Sequence, residues 1–163
     1  MILAIDPGNK ESAYVLYENG VCHEAGKVEN HKLLIEIIPM LGFDHAAIEV
    51  VRSMGMVVGQ EVFDTCIWIG RFIQKIHETT EWRGGEHQNE RIEAHHITRA
   101  NVKMFLCNSM RAKDKNIRQA LIDIFGPPPT KKDPNPNYPK RLAADEWSAL
   151  AVAVTAEFEK KIK

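Results

Sequence analysis

Three carboxylates in this chain sit where packing alone explains them poorly. Asp6 closes a short apolar run, Ile2–Ile5, and is followed at once by Pro7-Gly8. Glu49 lies inside a second run, Ala46-Ala47-Ile48-Glu49-Val50-Val51. Asp145 falls in the first turn of an otherwise apolar helical pattern, Leu142-Ala143-Ala144-Asp145-Glu146-Trp147. An unpaired buried carboxylate is expensive, and several crowded together repel one another unless cations neutralise them. Mg²⁺ or Mn²⁺, hard ions that prefer oxygen, are the natural candidates. Two such ions about 4 Å apart activate water and stabilise the leaving oxygen in phosphodiester cleavage. Each acid also has a plainer explanation. Asp6 could cap a turn, Glu49 could pair with Arg52 or another base, and Asp145 could complement the positive end of a helix.

A second signal is the segregation of charge. Residues 1–98 carry 8 Lys and Arg against 15 Asp and Glu, a net of −7. Residues 99–141 carry 10 against 3, a net of +7, although the whole chain is −1. One basic third on a near-neutral protein points to a localised polyanion-binding face. Lys103, Lys113, Lys115 and Arg118 could grip phosphates or stabilise a phosphoryl transition state. The plainer explanation is a solvated helix face.

Stepping out from these residues, the elements that must hold them can be read from periodicity. Ile2–Ile5 and Ala13–Tyr17 are strands, and Asn19-Gly20 predicts a tight hairpin into a third strand, Val21–Val28. Apolar positions 33, 34, 37, 38 and 41 predict a helix over His31–Leu41. Ala46–Val51 is a fourth strand, Val57–His77 a long amphipathic helix, Trp82–Asn89 a polar loop and Arg91–His95 a short fifth strand. Thr98 is an N-cap for a helix to about Leu106, and Asp114 one for Lys115–Phe125. Gly126-Pro127-Pro128-Pro129 ends that helix, a Pro- and Lys-rich loop follows, and Leu142–Lys160 is the last helix. The order β-β-β-α-β-α-β-α-α-α predicts one domain over 1–163, an α/β fold with a mixed five-stranded sheet and helices on both faces. If strands one and four are neighbours, Asp6 and Glu49 project side by side, and the last helix brings Asp145 to the same point.

The 163 residues suffice for one domain with a real core, and 44% hydrophobic with 26% charged residues is ordinary globular composition. Cys22, Cys66 and Cys107 form no metal or disulfide pattern, which suggests a reducing compartment. The first strand begins too early to leave room for a signal peptide, and no apolar run approaches membrane-spanning length. Cytoplasmic location is therefore expected. Some candidates carry less. His95-His96 could be a metal pair, but adjacent strand residues point to opposite faces. Gly55-x-x-x-Gly59 lacks the lysine of a P-loop. Trp68 and Trp82 could stack on bases, though Trp68 fits the core stripe of its helix.

With these residues in place, the chain resembles the RuvC-type Holliday junction resolvases, which have the ribonuclease H-like fold. Ile2-Leu3-Ala4-Ile5-Asp6-Pro7-Gly8 is similar to the family's first-strand motif, and Ala47-Ile48-Glu49 to its second acidic motif. Asn101-Val102-Lys103 and Ala112-Lys113-Asp114-Lys115-Asn116-Ile117 resemble its two lysine-bearing segments. Ala143-Ala144-Asp145 with Ala149-Leu150-Ala151-Val152-Ala153 resembles its C-terminal acidic helix. The compact length and divergent loops look like a phage or prophage version, which would act in the host cytoplasm. The resemblance implies a metal-dependent endonuclease on branched DNA such as a four-way junction. It implies Asp6, Glu49 and Asp145 as ligands of two Mg²⁺ or Mn²⁺ ions, and Lys115 stabilising charge at the scissile phosphate. Lys103, Lys113 and Arg118 would position the backbone. Met54 or Met56, after the Glu49 strand, could wedge between bases at the junction centre or simply pack in the core. A junction's two-fold symmetry implies a homodimer, with the long helix 57–77 as a candidate interface.

One motif departs from the pattern. The family places a second acid, or a His, three residues from the last one. A gapless alignment on Ala149-Leu150-Ala151 puts Asp145 and Ser148 there; the other register keeps Asp145 and puts Leu142 there. Glu146 could substitute, but it points about a quarter-turn away. The alternatives are a ribonuclease H-like nuclease on flaps, R-loops or RNA, or a catalytically weak branched-DNA binding module.

Overall fold

Asn19-Gly20 turns the chain as its dipeptide predicts: both residues have positive φ, 49° and 84°, the backbone that a tight hairpin between right-twisted strands requires. This computed structural model describes residues 1–53, 55, 57–82 and 92–159, with only the backbone of 80–82. Met54, Met56, Arg91 and all of the expected polar loop except Trp82 lie outside the described residues, and the proposed wedge with them.

The hairpin joins β2 (Glu11–Glu18) to β3 (Val21–Glu29), and β1 (Ile2–Asp6) pairs antiparallel with β2 on the other side. β4 (His45–Val50) and β5 (Ala94–Thr98) extend the sheet in parallel, giving the order β3-β2-β1-β4-β5. The mixed five-stranded sheet with helices on both faces is as expected. A register shift between Leu16 and Tyr17 leaves His23 as an extra residue in β3.

Strand alternation builds two cores. Ile2, Ala4, Ala13, Val15, Ala47 and Ile97 face the C-terminal helix Ala144–Phe158 and the helices Arg99–Cys107 and Asp114–Phe125. Leu3, Ile5, Tyr14, Leu16 and Ile48 face the first helical segment and the long helix Gln60–Trp82. The C-terminal helix is apolar on nearly every side because it lies between the sheet and the two other helices. Its Ala149, Ala151 and Ala153 are fully buried, and their small side chains let it approach the sheet closely. No described helix is long and apolar enough to cross a membrane.

Several boundaries differ from expectation for identifiable reasons. The fifth strand is Ala94–Thr98 rather than Arg91–His95, because it is Ile97 that fills the core beside Ala47. The first helix runs as Asn30–Lys32, a wide turn over Leu33–Ile37 and Ile38–Met40. Ile38 N–H bonds Leu33 O, five residues back, immediately before Pro39, which has no N–H to continue the ladder. The long helix starts at Gln60, not Val57, and runs on to Trp82. Asp114 is the first helical residue and not the cap: Lys113 has extended backbone, and its N–H donates to Asn116 Oδ1 at 3.0 Å. The last helix begins at Ala144 rather than Leu142, since Glu146 accepts the Ala143 N–H at 2.6 Å and so fixes the cap.

Candidate functional site

The alternation that builds the core also aims the acids. Asp6 continues the Ile2, Ala4 face of β1, and Glu49 continues the Ala47 face of β4, so both point toward the C-terminal helix. Ile5 is opposite Ile48 in the parallel pair, which makes Asp6 and Glu49 the next neighbours along. Asp145 lies in the first turn of the helix that covers this face. The backbone behind Asp6 is rigidly specified. Gly8 N–H donates to Ser12 Oγ, Ser12 donates to Asn30 Oδ1, and Asn30 Nδ2 donates to Gly8 O at 2.8 Å. A Cβ at Gly8 would stand 2.4 Å from Glu11 O, so only glycine fits that turn.

Asp6 feels the charge of both other acids. Burial pushes Asp6 up to about 7, Glu49 and Asp145 push it the same way, and Arg99 and a hydrogen bond from Ser148 oppose them. Burial likewise raises Glu49, against the pull of Arg99. Arg99 Nη1 is 3.4 Å from Glu49 Oε2, while its Nη2 contacts Asp114 directly. Thr98 holds Arg99 in place as the N-cap of Arg99–Cys107, in a reciprocal capping box with Asn101. On the other flank, Lys27 Nζ is 2.8 Å from Asp145 Oδ2 and 3.4 Å from Glu11 Oε2.

The structure thus brings Asp6, Glu49 and Asp145 to one end of the sheet, with Ser148 touching Asp6. Glu146 is elsewhere: it is buried, caps the helix and pairs with Lys140 at 2.6 Å. Lys103 lies close enough to Glu49 to lower its pKa. Lys113 and Lys115 are exposed at the start of Asp114–Phe125, beside the Asp114 that meets Arg99. Arg118 is one turn further on, with its guanidinium over the Trp147 ring at 5.2 Å. His95 and His96 point to opposite faces, since they pair with Ala47 and Ile48 respectively. Trp68 packs on Phe72 with Arg71 over its ring, which leaves it committed to its own helix.

Arg99 and Lys27 were not singled out from the sequence. Arg99 carried a signal, a base directly after an N-cap threonine. Lys27 carried a misleading one: counted back from Asn19-Gly20, an unbroken hairpin sets Lys27 opposite Ser12 on the wrong face. The extra residue His23 puts it opposite Ala13 instead.

Among the described residues no group of three or more His, Cys, Asp and Glu side chains is already gathered as a metal cage. The donor set nevertheless fits a hard divalent cation. It is all oxygen, and Asp6 carries the burial and like-charge repulsion that a cation relieves.

No protein-family model matches the chain, and no curated protein matches it by sequence. Solved structures do. Thermus thermophilus RuvC in complex with Holliday junction substrate matches with a TM-score of 0.67, 14% identity, and coverage of 98% of this chain and 94% of that one. A second Thermus thermophilus RuvC structure gives 0.66 at 14% identity, covering 98% and 95%. The chain has the ribonuclease H-like fold of RuvC along nearly its whole length.

Proposed function

We propose that this chain is a metal-dependent endonuclease that cuts phosphodiesters in branched DNA, four-way junctions in particular. The observation that carries the reading is the convergence of Asp6, Glu49 and Asp145 at one sheet end of a RuvC-like fold. Asp6, Glu49 and Asp145 would hold Mg²⁺ or Mn²⁺, up to the two ions of such nucleases. A bound ion there supplies an activated water and charge stabilisation at the leaving oxygen. Asp6 feels the charge of both other acids and is hydrogen-bonded by Ser148, so it is assigned as the ligand central to the site. Arg99 orients Glu49 and is itself fixed by Asp114 and the Thr98 cap. Lys115 is assigned to the charge developing at the scissile phosphate, and Lys103, Lys113 and Arg118 to the DNA backbone. Contacts of this kind position the duplex with little sequence preference.

A homodimer fits the two-fold symmetry of the substrate. The long helix exposes Phe63 and Ile67, and Ile67 lines a groove with Leu34 and Ile35 of the neighbouring segment. Burying that patch against a second copy would place two acid clusters on one junction.

The presence of Ser148 in place of an acid favours a second reading, a junction-binding module with weak or no cleavage. A panel of four-way, three-way, flap and duplex substrates, each with Mg²⁺ and with Mn²⁺, tests both. Cleavage of the four-way junction in preference to duplex supports the first. Tight junction binding with no product under either metal replaces it with the second, and preferential flap or RNA cleavage moves the substrate class.

A further inference from the structure

We infer that Lys27 is a resident cation that takes the place of one of two metal ions, so that the site holds a single divalent ion beside Asp6 and Glu49. This rests on the metal-dependent reading above and narrows it. The argument begins with register. The bulge at His23 sets Lys27 opposite Ala13, and Ala13 is opposite Asp6. Lys27, Ala13, Asp6 and Glu49 therefore form one row across four strands on the face beneath the C-terminal helix. Ala13 has too small a side chain to block the row, and Lys27 reaches over it to Asp145 at 2.8 Å. Bulges beside functional sites commonly re-aim a single side chain in this way.

The two flanks of Asp6 then differ. Toward β4 stands Glu49, whose cation Arg99 is held more closely by Asp114 than by Glu49 itself, at 3.4 Å. Arg99 can give up Glu49 to a metal and keep Asp114. Toward β3 the situation is reversed. Lys27 is closer to Asp145, at 2.8 Å, than to its alternative Glu11, at 3.4 Å. The neighbouring helix position that could supply another carboxylate is Ser148, which donates a hydrogen bond to Asp6. A divalent ion on that flank would find one acid already neutralised, a neutral hydroxyl and an ammonium group against it. Like charges in contact repel even near the surface, where water screens them in part, and Lys27 and Asp145 are 40% and 49% exposed. Lys27 acts through Asp145, as a positioning and charge-compensating residue.

The test is low-temperature electron paramagnetic resonance of Mn²⁺ added to the full chain with a four-way junction, with the junction alone as the blank. Wild-type protein should give protein-dependent Mn²⁺ signals without the spin coupling of a paired centre, and Asp6→Asn should remove them. Lys27→Met/Ser148→Asp should acquire the coupled signal, and Lys27→Arg should stay uncoupled. A coupled pair in the wild type overturns the inference by itself, whether or not the variants fold. A folded double variant that remains uncoupled removes Lys27 as the cause. If no protein-dependent signal appears and Asp6→Asn matches the wild type, the metal reading itself fails.

Discussion

Among the described residues Asp6 makes no ion pair, whereas Glu49 has Arg99 and Asp145 has Lys27. That asymmetry makes Asp6 the most informative residue to change. Asp6→Asn, Glu49→Gln and Asp145→Asn should each abolish junction cleavage, by at least about a hundredfold, since metal charge stabilisation is worth several kcal/mol. Junction binding should hold or strengthen, because each change removes repulsion against phosphate. Near-wild-type single-turnover rates for any one would exclude that residue. Asp6 also predicts a pH signature. Its carboxyl rises from 3.8 to about 7 on folding, so the folded state favours the protonated form. The resulting destabilisation is absent below the unfolded value, grows as pH rises between the two, and is complete above about 7. Metal-free Asp6→Asn should therefore be more stable than wild type at pH 8, by at most about 4 kcal/mol. The gap should close toward pH 4, and thermal melts across that range measure it. Saturating Mg²⁺ should erase the gap at pH 8 by stabilising the wild type. A gap that widens as pH falls would mean the carboxyl is not buried as described. At this scale the acids were legible because a carboxylate in an apolar run stands out. Lys27 was not, because a lysine in a polar-looking strand stands out from nothing, whereas Arg99 was marked by the N-cap threonine before it.

At the scale of elements, the cations at and within the helix Asp114–Phe125 have different surroundings. Lys113 and Lys115 are exposed at its start, while Arg118 lies over Trp147. Lys113→Glu with Lys115→Glu should lower the slope of log junction affinity against log salt by about 2, since each phosphate contact contributes about 0.9. Arg118→Ala should instead cost about 0.5–1 kcal/mol of stability, the worth of an exposed cation–π contact. If Arg118→Ala leaves the slope unchanged, its assignment to the DNA backbone is withdrawn and the Trp147 contact is its role. Thr98→Ala should cost about 1 kcal/mol through loss of the cap, read by chemical denaturation. Element types and order followed from periodicity and from Asn19-Gly20. The discrepancies arose where one contact outranks local pattern. Ile97 in the core shifted β5, Glu146 on the Ala143 amide set the last helix, and one bulge residue, His23, moved Lys27 to the other side of the sheet. A bulge is a register property of two strands together, and neither strand states it alone.

At the scale of the molecule, the apolar groove between the first helical segment and the long helix predicts assembly. Phe63→Glu/Ile67→Glu should sediment as single chains with unchanged circular dichroism, and should cut junctions one strand at a time. A wild type that sediments as one chain at working concentration would sink the dimer. The arrangement of the sheet has a further consequence, in time rather than in space. β1, β2 and β3 are joined by short turns and can pair as soon as they are made. β4 and β5 must wait for longer loops to close. Asp145 joins Asp6 and Glu49 only when the helix Ala144–Phe158, which follows both acid-bearing strands in the chain, docks across β1 and β2. A polypeptide still being translated would already expose Asp6 and Glu49 but lack the third acid. On the proposed reading, a chain stopped short of that helix would fold part of the sheet yet be unable to hydrolyse DNA.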